Sequence, residues 1–327
     1  MARACPEGLT GSPIHAGRIM ALAVALAVAG AGCSTSSPGG EPVTGAASAA
    51  ASSGAFPSPP VAAGAIRVAA SFYPLAYAVE RVGGPRVAVT NLTRPGAEPH
   101  DVELTPTDVA TIESAALVVY LKGFQPAVDE AVARRDSART VEVSGPARLL
   151  SDGSRTDPHF WLDPTRYASV TLELARRLAE LDPADATGYR QRGQALAGEL
   201  AGLDRQFRAG LATCASRDLV TGHTAFGYLA AAYRFTQVGI SGLSPEAEPD
   251  PASMARIASY VRTKGVTTVY TETLVSPAAA RAVADEAGAT LAVLDPLEGL
   301  AQASAGRDYL SVMRANLATL RAGQRCT

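Results

Sequence analysis

The sequence predicts an α/β fold of two similar halves, each a parallel sheet covered by helices, with one long helix between them. Three observations predict it. Eight short runs rich in β-branched residues alternate with segments that carry apolar residues at three- and four-residue spacing, an alternation that builds parallel sheets buried on both faces. It is interrupted once, over residues 164–213, where only helical periodicity is found. A length of 327 residues with 47% hydrophobic and 18% charged side chains suits two domains of ordinary size with real cores.

Strands are expected at 66–70 (IRVAA), 87–92, 116–121 and 140–144 in the first half. In the second half they are expected at 218–222, 236–240, 266–271 and 290–295. Thr105-Pro106-Thr107-Asp108 starts a helix in good capping order. Asp163 caps a helix opened by Pro164, apolar at Val170, Leu172, Leu174, Leu178 and Leu181, which breaks at Asp182-Pro183. A polar helix over 184–213 follows; at 1.5 Å per residue it runs about 45 Å, the length of a rigid connector. Further helices are expected at 224–233, 251–264 and 277–288, the last stopped by Gly288. The folded body therefore divides into an N-terminal α/β domain (66–183), a connector helix (184–213) and a C-terminal α/β domain (214–327).

Ahead of the fold, Arg3 and Arg18 precede an apolar run, Ile19 to Ala29, too short to span a bilayer and laid out as a secretory signal, residues 1–32. Ala29-Gly30-Ala31 suits an ordinary signal peptidase, which would release a soluble secreted or periplasmic protein. Gly30-Ala31-Gly32-Cys33 resembles the lipobox of bacterial lipoproteins, with Gly30 where a branched apolar residue is usual. Residues 33–65, rich in Ser, Ala, Gly and Pro, make a flexible tether, which favours lipidation of Cys33 because a tether is useful when its start is fixed to a membrane. Export agrees with the cysteines: Cys214 and Cys326, the two in the folded body, read as a disulfide. Twenty-nine basic against thirty-one acidic side chains give a formal charge of −2, so nucleic acid is not an expected partner.

Of four histidines, His15 falls in the signal. The other three are His100 in "EPHDVELTPTD", His159 in "DPHFWLDP" and His223 in "VTGHTAFGYLA". Each lies beyond the carboxyl end of an expected strand, where open α/β sheets bind ligands. In "DPHFWLDP" the prolines stiffen the segment and Phe160, Trp161 and Leu162 anchor it, so that His159 is held at the site. Trp161 is the sole tryptophan. Neutral imidazoles are favoured zinc ligands, and a tetrahedral site needs a fourth donor, often a carboxylate. Asp295 follows the strand at 290–295 and Glu272 the strand at 266–271. Either could be the fourth ligand; Asp295, short and held between a strand and Pro296, is preferred, and Glu272 is then expected to orient a ligand imidazole through a hydrogen bond.

"PHDVELTPTD", "DPHFWLDP", "GHTAFGYLA" and "LDPL" resemble, in this order, the metal-site segments of the solute-binding proteins of zinc and manganese ABC importers, over about residues 66–325. The resemblance implies two sandwich domains joined by one long helix, with the ion in the cleft between them. It assigns the ligand roles to His100, His159, His223 and Asp295. It also implies a monomeric protein, lipid-anchored at the outer face of the cytoplasmic membrane, that hands zinc to a permease driven by a cytoplasmic ATPase and performs no chemistry. Two features depart from the family: the His- and Asp-rich loop of many zinc members is missing between His100 and His159, and Cys214 lies before the strand leading to His223 rather than near Glu272. Manganese is the alternative ion, but it favours oxygen donors, and its binders generally carry a carboxylate where His223 stands. From other classes, a zinc hydrolase is opposed by the lack of an H-E-x-x-H helix and by a fourth protein ligand closing the substrate position, while a metal-dependent adhesin is compatible with the same fold.

Overall fold

All eight expected strands form, each within two residues of its expected ends: β1 (Ile66–Ala70), β2 (Val87–Asn91), β3 (Leu117–Tyr120), β4 (Thr140–Glu142), β5 (Asp218–Thr221), β6 (Thr236–Gly239), β7 (Thr268–Thr271) and β8 (Thr290–Val293). The structure, a computed structural model, describes Ala62 and residues 64–151, 156–246 and 248–327. The export signal, Cys33 and most of the tether lie outside the described residues. No helix among the described residues is long and apolar enough to cross a membrane.

The strands make two four-stranded sheets, ordered β2-β1-β3-β4 and β6-β5-β7-β8, with every pair parallel. One topology is therefore used twice. In each sheet the order reverses beside its first strand, which places the crevice for ligands at the carboxyl ends of β1 and β3 and of β5 and β7.

The helices are α1 (Tyr73–Gly83), α2 (Pro106–Ser114), α3 (Pro126–Val132), the short α4 (Ser144–Ala147), α5 (Pro164–Leu181), α6 (Ala186–Gly210), α7 (Gly227–Tyr233), α8 (Pro251–Lys264), α9 (Ala278–Ala287) and α10 (Tyr309–Gly323). Their ends follow local chemistry. Thr105 and Asp108 form a reciprocal capping box on α2, Asp163 accepts from Thr165 N–H at the start of α5, and α9 ends on Gly288 at φ 70°. Two helices differ from expectation. The long helix begins at Ala186, after a 3-10 turn at Pro183–Asp185, and ends at Gly210. Its buried residues Tyr189, Leu196, Leu200, Leu203 and Phe207 form one stripe, and it packs against α5, α1 and α10. Helix α7 begins three residues later than expected. Thr224 N–H is taken by Gly242 O and its hydroxyl by Ser241 O, which ties the segment after β5 to the end of β6 and keeps it out of the helix.

One hydrophobic core runs through both halves: Val68 and Leu117 under the first sheet, Leu219 and Tyr270 in the second, with Trp161, Tyr167 and Tyr309 between. Smaller clusters sit beneath α8 and α9 and beneath α2 and α3. Cys214, just beyond α6, is bonded to Cys326, just beyond α10, as expected. The bridge closes a separation of 112 residues, so reduction should lower the unfolding free energy by about 3–5 kcal/mol on the chain-entropy model. Urea denaturation of the protein with and without reductant measures this, and identical midpoints would contradict it.

Candidate metal centre

Each histidine is delivered by a loop whose own hydrogen bonds fix it. His100 lies in the segment after β2, where Glu98 Oε1 accepts its backbone N–H and Gln125 Nε2 donates to Pro99 O at 3.1 Å. Its ring meets the edge of Phe124, centroids 4.7 Å apart. His159 precedes a single 3-10 turn, Phe160–Leu162, whose three side chains are fully buried. Its backbone N–H and Nδ1 both reach Asp157 Oδ1, at 2.9 and 2.7 Å. His223 follows β5, and Glu272, at the end of the neighbouring β7, receives its backbone N–H on Oε1 at 2.8 Å and its Nδ1 on Oε2 at 2.5 Å. Residue 222 has to be glycine for this: a Cβ there would stand 2.6 Å from Glu272 Oε1.

These carboxylates decide the tautomers. An ionised carboxylate can only accept, so Asp157 and Glu272 hold a proton on each Nδ1 and turn each Nε2 toward the site. The three Nε2 atoms converge on one oxygen. Glu298 Oε1 lies 3.1 Å from His100, 2.8 Å from His159 and 3.3 Å from His223, and the Nε2 atoms of His159 and His223 are 3.4 Å apart. One donor atom from each of these four residues falls within 4.8 Å of the others. Four ligands about 2.0–2.1 Å from a tetrahedral zinc stand about 3.3 Å apart, so this arrangement is close to that of a zinc shell. His159, His223 and Glu298 are buried and His100 is partly so.

Burial raises the cost of charge at Glu298, but hydrogen bonds from His100, His159 and His223 outweigh it and hold this carboxyl well below the usual carboxylate range. The imidazoles respond in kind. Burial would lower both, yet Asp157 and Glu298 raise His159, and Glu272 and Glu298 push His223 up to about 10. A cation at the centre replaces the protons these groups share.

Glu272 lies where a residue orienting an imidazole is needed, beside His223. Asp295 does not join the cluster. Its Oδ1 accepts from Leu297 N–H at 2.8 Å and its Oδ2 from Ser304 Oγ at 2.7 Å, while its backbone N–H and C=O are paired with the Asn316 side chain. The expected fourth donor is thus committed to building a turn, and the carboxylate three residues on, Glu298, occupies the position expected of Asp295. Sequence reasoning also passed over Asp157, although an aspartate two residues before a buried histidine is well placed to bind both its N–H groups. Glu298→Gln should weaken zinc by about 100-fold or more, through loss of the only anionic donor, whereas Asp295→Asn, which keeps an acceptor for Leu297, should cost less than about tenfold. Competitive zinc titration separates the two. The reverse ranking would restore Asp295 to the site.

Residues 68–323 match the family described as zinc-uptake complex component A, periplasmic. The zinc-binding protein AdcA of Streptococcus pyogenes is 31% identical over 290 residues, covering 80% of this chain and 56% of that protein, so the chain spans little more than half the length of this relative. The high-affinity zinc uptake system protein ZnuA of Bacillus subtilis is 30% identical over 276 residues, 78% of this chain and 86% of that protein. Among solved structures, the Zn(II)-bound ZnuA-like domain of Streptococcus pneumoniae AdcA aligns with a TM-score of 0.71 and 33% identity, covering 80% of this chain and 99% of that one. Matched from within β1 to the end of α10, the chain belongs to the zinc-uptake complex component A family.

Proposed function

We propose that this protein captures zinc outside the cytoplasmic membrane and delivers it to an ABC permease, with no reaction of its own. The observation that carries this reading is the convergence of three imidazole nitrogens on one buried carboxylate oxygen. Three nitrogen donors and one oxygen donor suit zinc better than manganese, whose preference is for more and harder oxygen ligands. Four protein donors also leave no open position for a substrate, which distinguishes a carrier from a zinc hydrolase. His100, His159, His223 and Glu298 are the proposed ligands, with Asp157 and Glu272 holding two of the imidazoles in the right tautomer. Relatives named as a lipoprotein and as part of an uptake system support anchoring through Cys33 and a permease partner. The residue ranges 66–183, 184–213 and 214–327 are proposed as the two domains and the connector, with the ion held where the two sheets' carboxyl ends meet.

Elemental analysis of the protein purified without chelator should find one zinc per chain, and none in the His223→Ala variant. Manganese at unit stoichiometry would instead select the alternative ion.

Binding is also predicted to be proton-linked well above the ordinary histidine range. With its pKa raised to about 10, His223 carries a proton in the zinc-free protein at neutral pH, and zinc has to displace it. Apparent affinity should therefore keep rising, by about tenfold per pH unit for each proton displaced, from pH 7 toward 10. The same group makes the zinc-free protein more stable below the unfolded value of about 6.5, a contribution lost as pH rises through 10. Titrations in buffers of differing ionisation enthalpy count the released protons, and zero release at pH 7 would contradict this linkage.

A further inference from the structure

We propose that Trp161 is a positioning residue for the metal centre: its indole N–H pins the turn that presents Glu298. The inference rests on the site reading above. After β8 the chain turns through Asp295, Pro296, Leu297 and Glu298, and Leu297 takes a left-handed conformation at φ 58°. That conformation is strained for a residue with a Cβ, so the turn relaxes unless its surroundings hold it. From the second half it is held by Asp295, Ser304 and Asn316. From the first half Trp161 Nε1 donates to Pro296 O at 2.8 Å, in a fully buried contact.

Trp161 is itself rigid. Its ring packs 5.0 Å from Phe72 and 5.5 Å from Phe160, and its backbone C=O accepts from Tyr309 O–H at 2.5 Å. It stands two residues after His159, with ring centroids 5.3 Å apart. One side chain therefore sets the distance between the segment that carries His159 and the turn that carries Glu298. A phenylalanine could fill much of the same core; the hydrogen bond is what it lacks. Without that bond the metal-free turn would populate conformations in which Glu298 is off the site, and apparent affinity falls by the fraction that remains competent.

Two replacements test this. Trp161→Phe removes the N–H. Because Trp161 is the only tryptophan in 327 residues, global substitution by benzothienylalanine, with sulfur in place of the N–H, changes one atom group while keeping the ring shape, and it serves where the Phe variant fails to fold. Each should weaken zinc about tenfold, the fold-change that corresponds to releasing the strained turn. The decisive measurement is a double-mutant cycle. In a Glu298→Gln background the tenfold loss should vanish, and in a His159→Ala background it should persist. A loss that survives undiminished in Glu298→Gln, or unchanged affinity in both replacements, overturns the proposal. Glu298→Gln without effect on zinc would instead remove Glu298 from the site, a failure of the site reading that takes the role of Trp161 with it.

Discussion

The structure depends on one interaction: a buried carboxylate whose oxygen faces three imidazole nitrogens. A negative charge withdrawn from water is costly unless charge and hydrogen bonds are supplied in return, and Glu298 gets both from His100, His159 and His223. Two of these imidazoles come from the loops of the first half, while His223 and Glu298 come from the second, so the group forms only when the halves are held in register. The shared core between them, with the Tyr167 and Tyr309 rings 4.6 Å apart, supplies that register.

The side chains behind the cluster are organised for the same purpose. Asp157 and Glu272 each take two N–H groups of one histidine, which fixes ring orientation and leaves Nε2 for the ion. His100 has no such carboxylate on its ring among the described residues and is also the least buried of the four. The site therefore has an enclosed side, built from His159 and His223, and a more exposed side at His100.

Much of this was legible in the sequence because it is local. β-branched runs bounded by polar turns fixed all eight strands, and Thr105, Asp163 and Gly288 marked helix ends through hydrogen bonds or backbone freedom available within a few residues. The three histidines were legible since each follows a strand at the end where α/β sheets bind. Glu298 was not. In "LDPLEGL" two carboxylates stand three residues apart, and which one reaches the site depends on the direction of the chain after Pro296. That direction is set by Leu297 at positive φ and by contacts from Trp161 and Asn316, which are remote in sequence. Asp295 carries the features of a ligand and of a turn residue at once, and the turn claims it. The start of α7 was missed for a similar reason, since the hydrogen bonds that keep Thr224 out of the helix come from Ser241 and Gly242.

Anomalous diffraction at the zinc edge, on crystals of the zinc-loaded protein, tests the central claim most directly. One peak is expected, about 2.0–2.2 Å from Nε2 of His100, His159 and His223 and from a Glu298 oxygen, with Asp295 still bonded to Leu297 and Ser304. A peak that lacks any of the three imidazoles, or one coordinated by Asp295 with Glu298 turned away, would contradict the account.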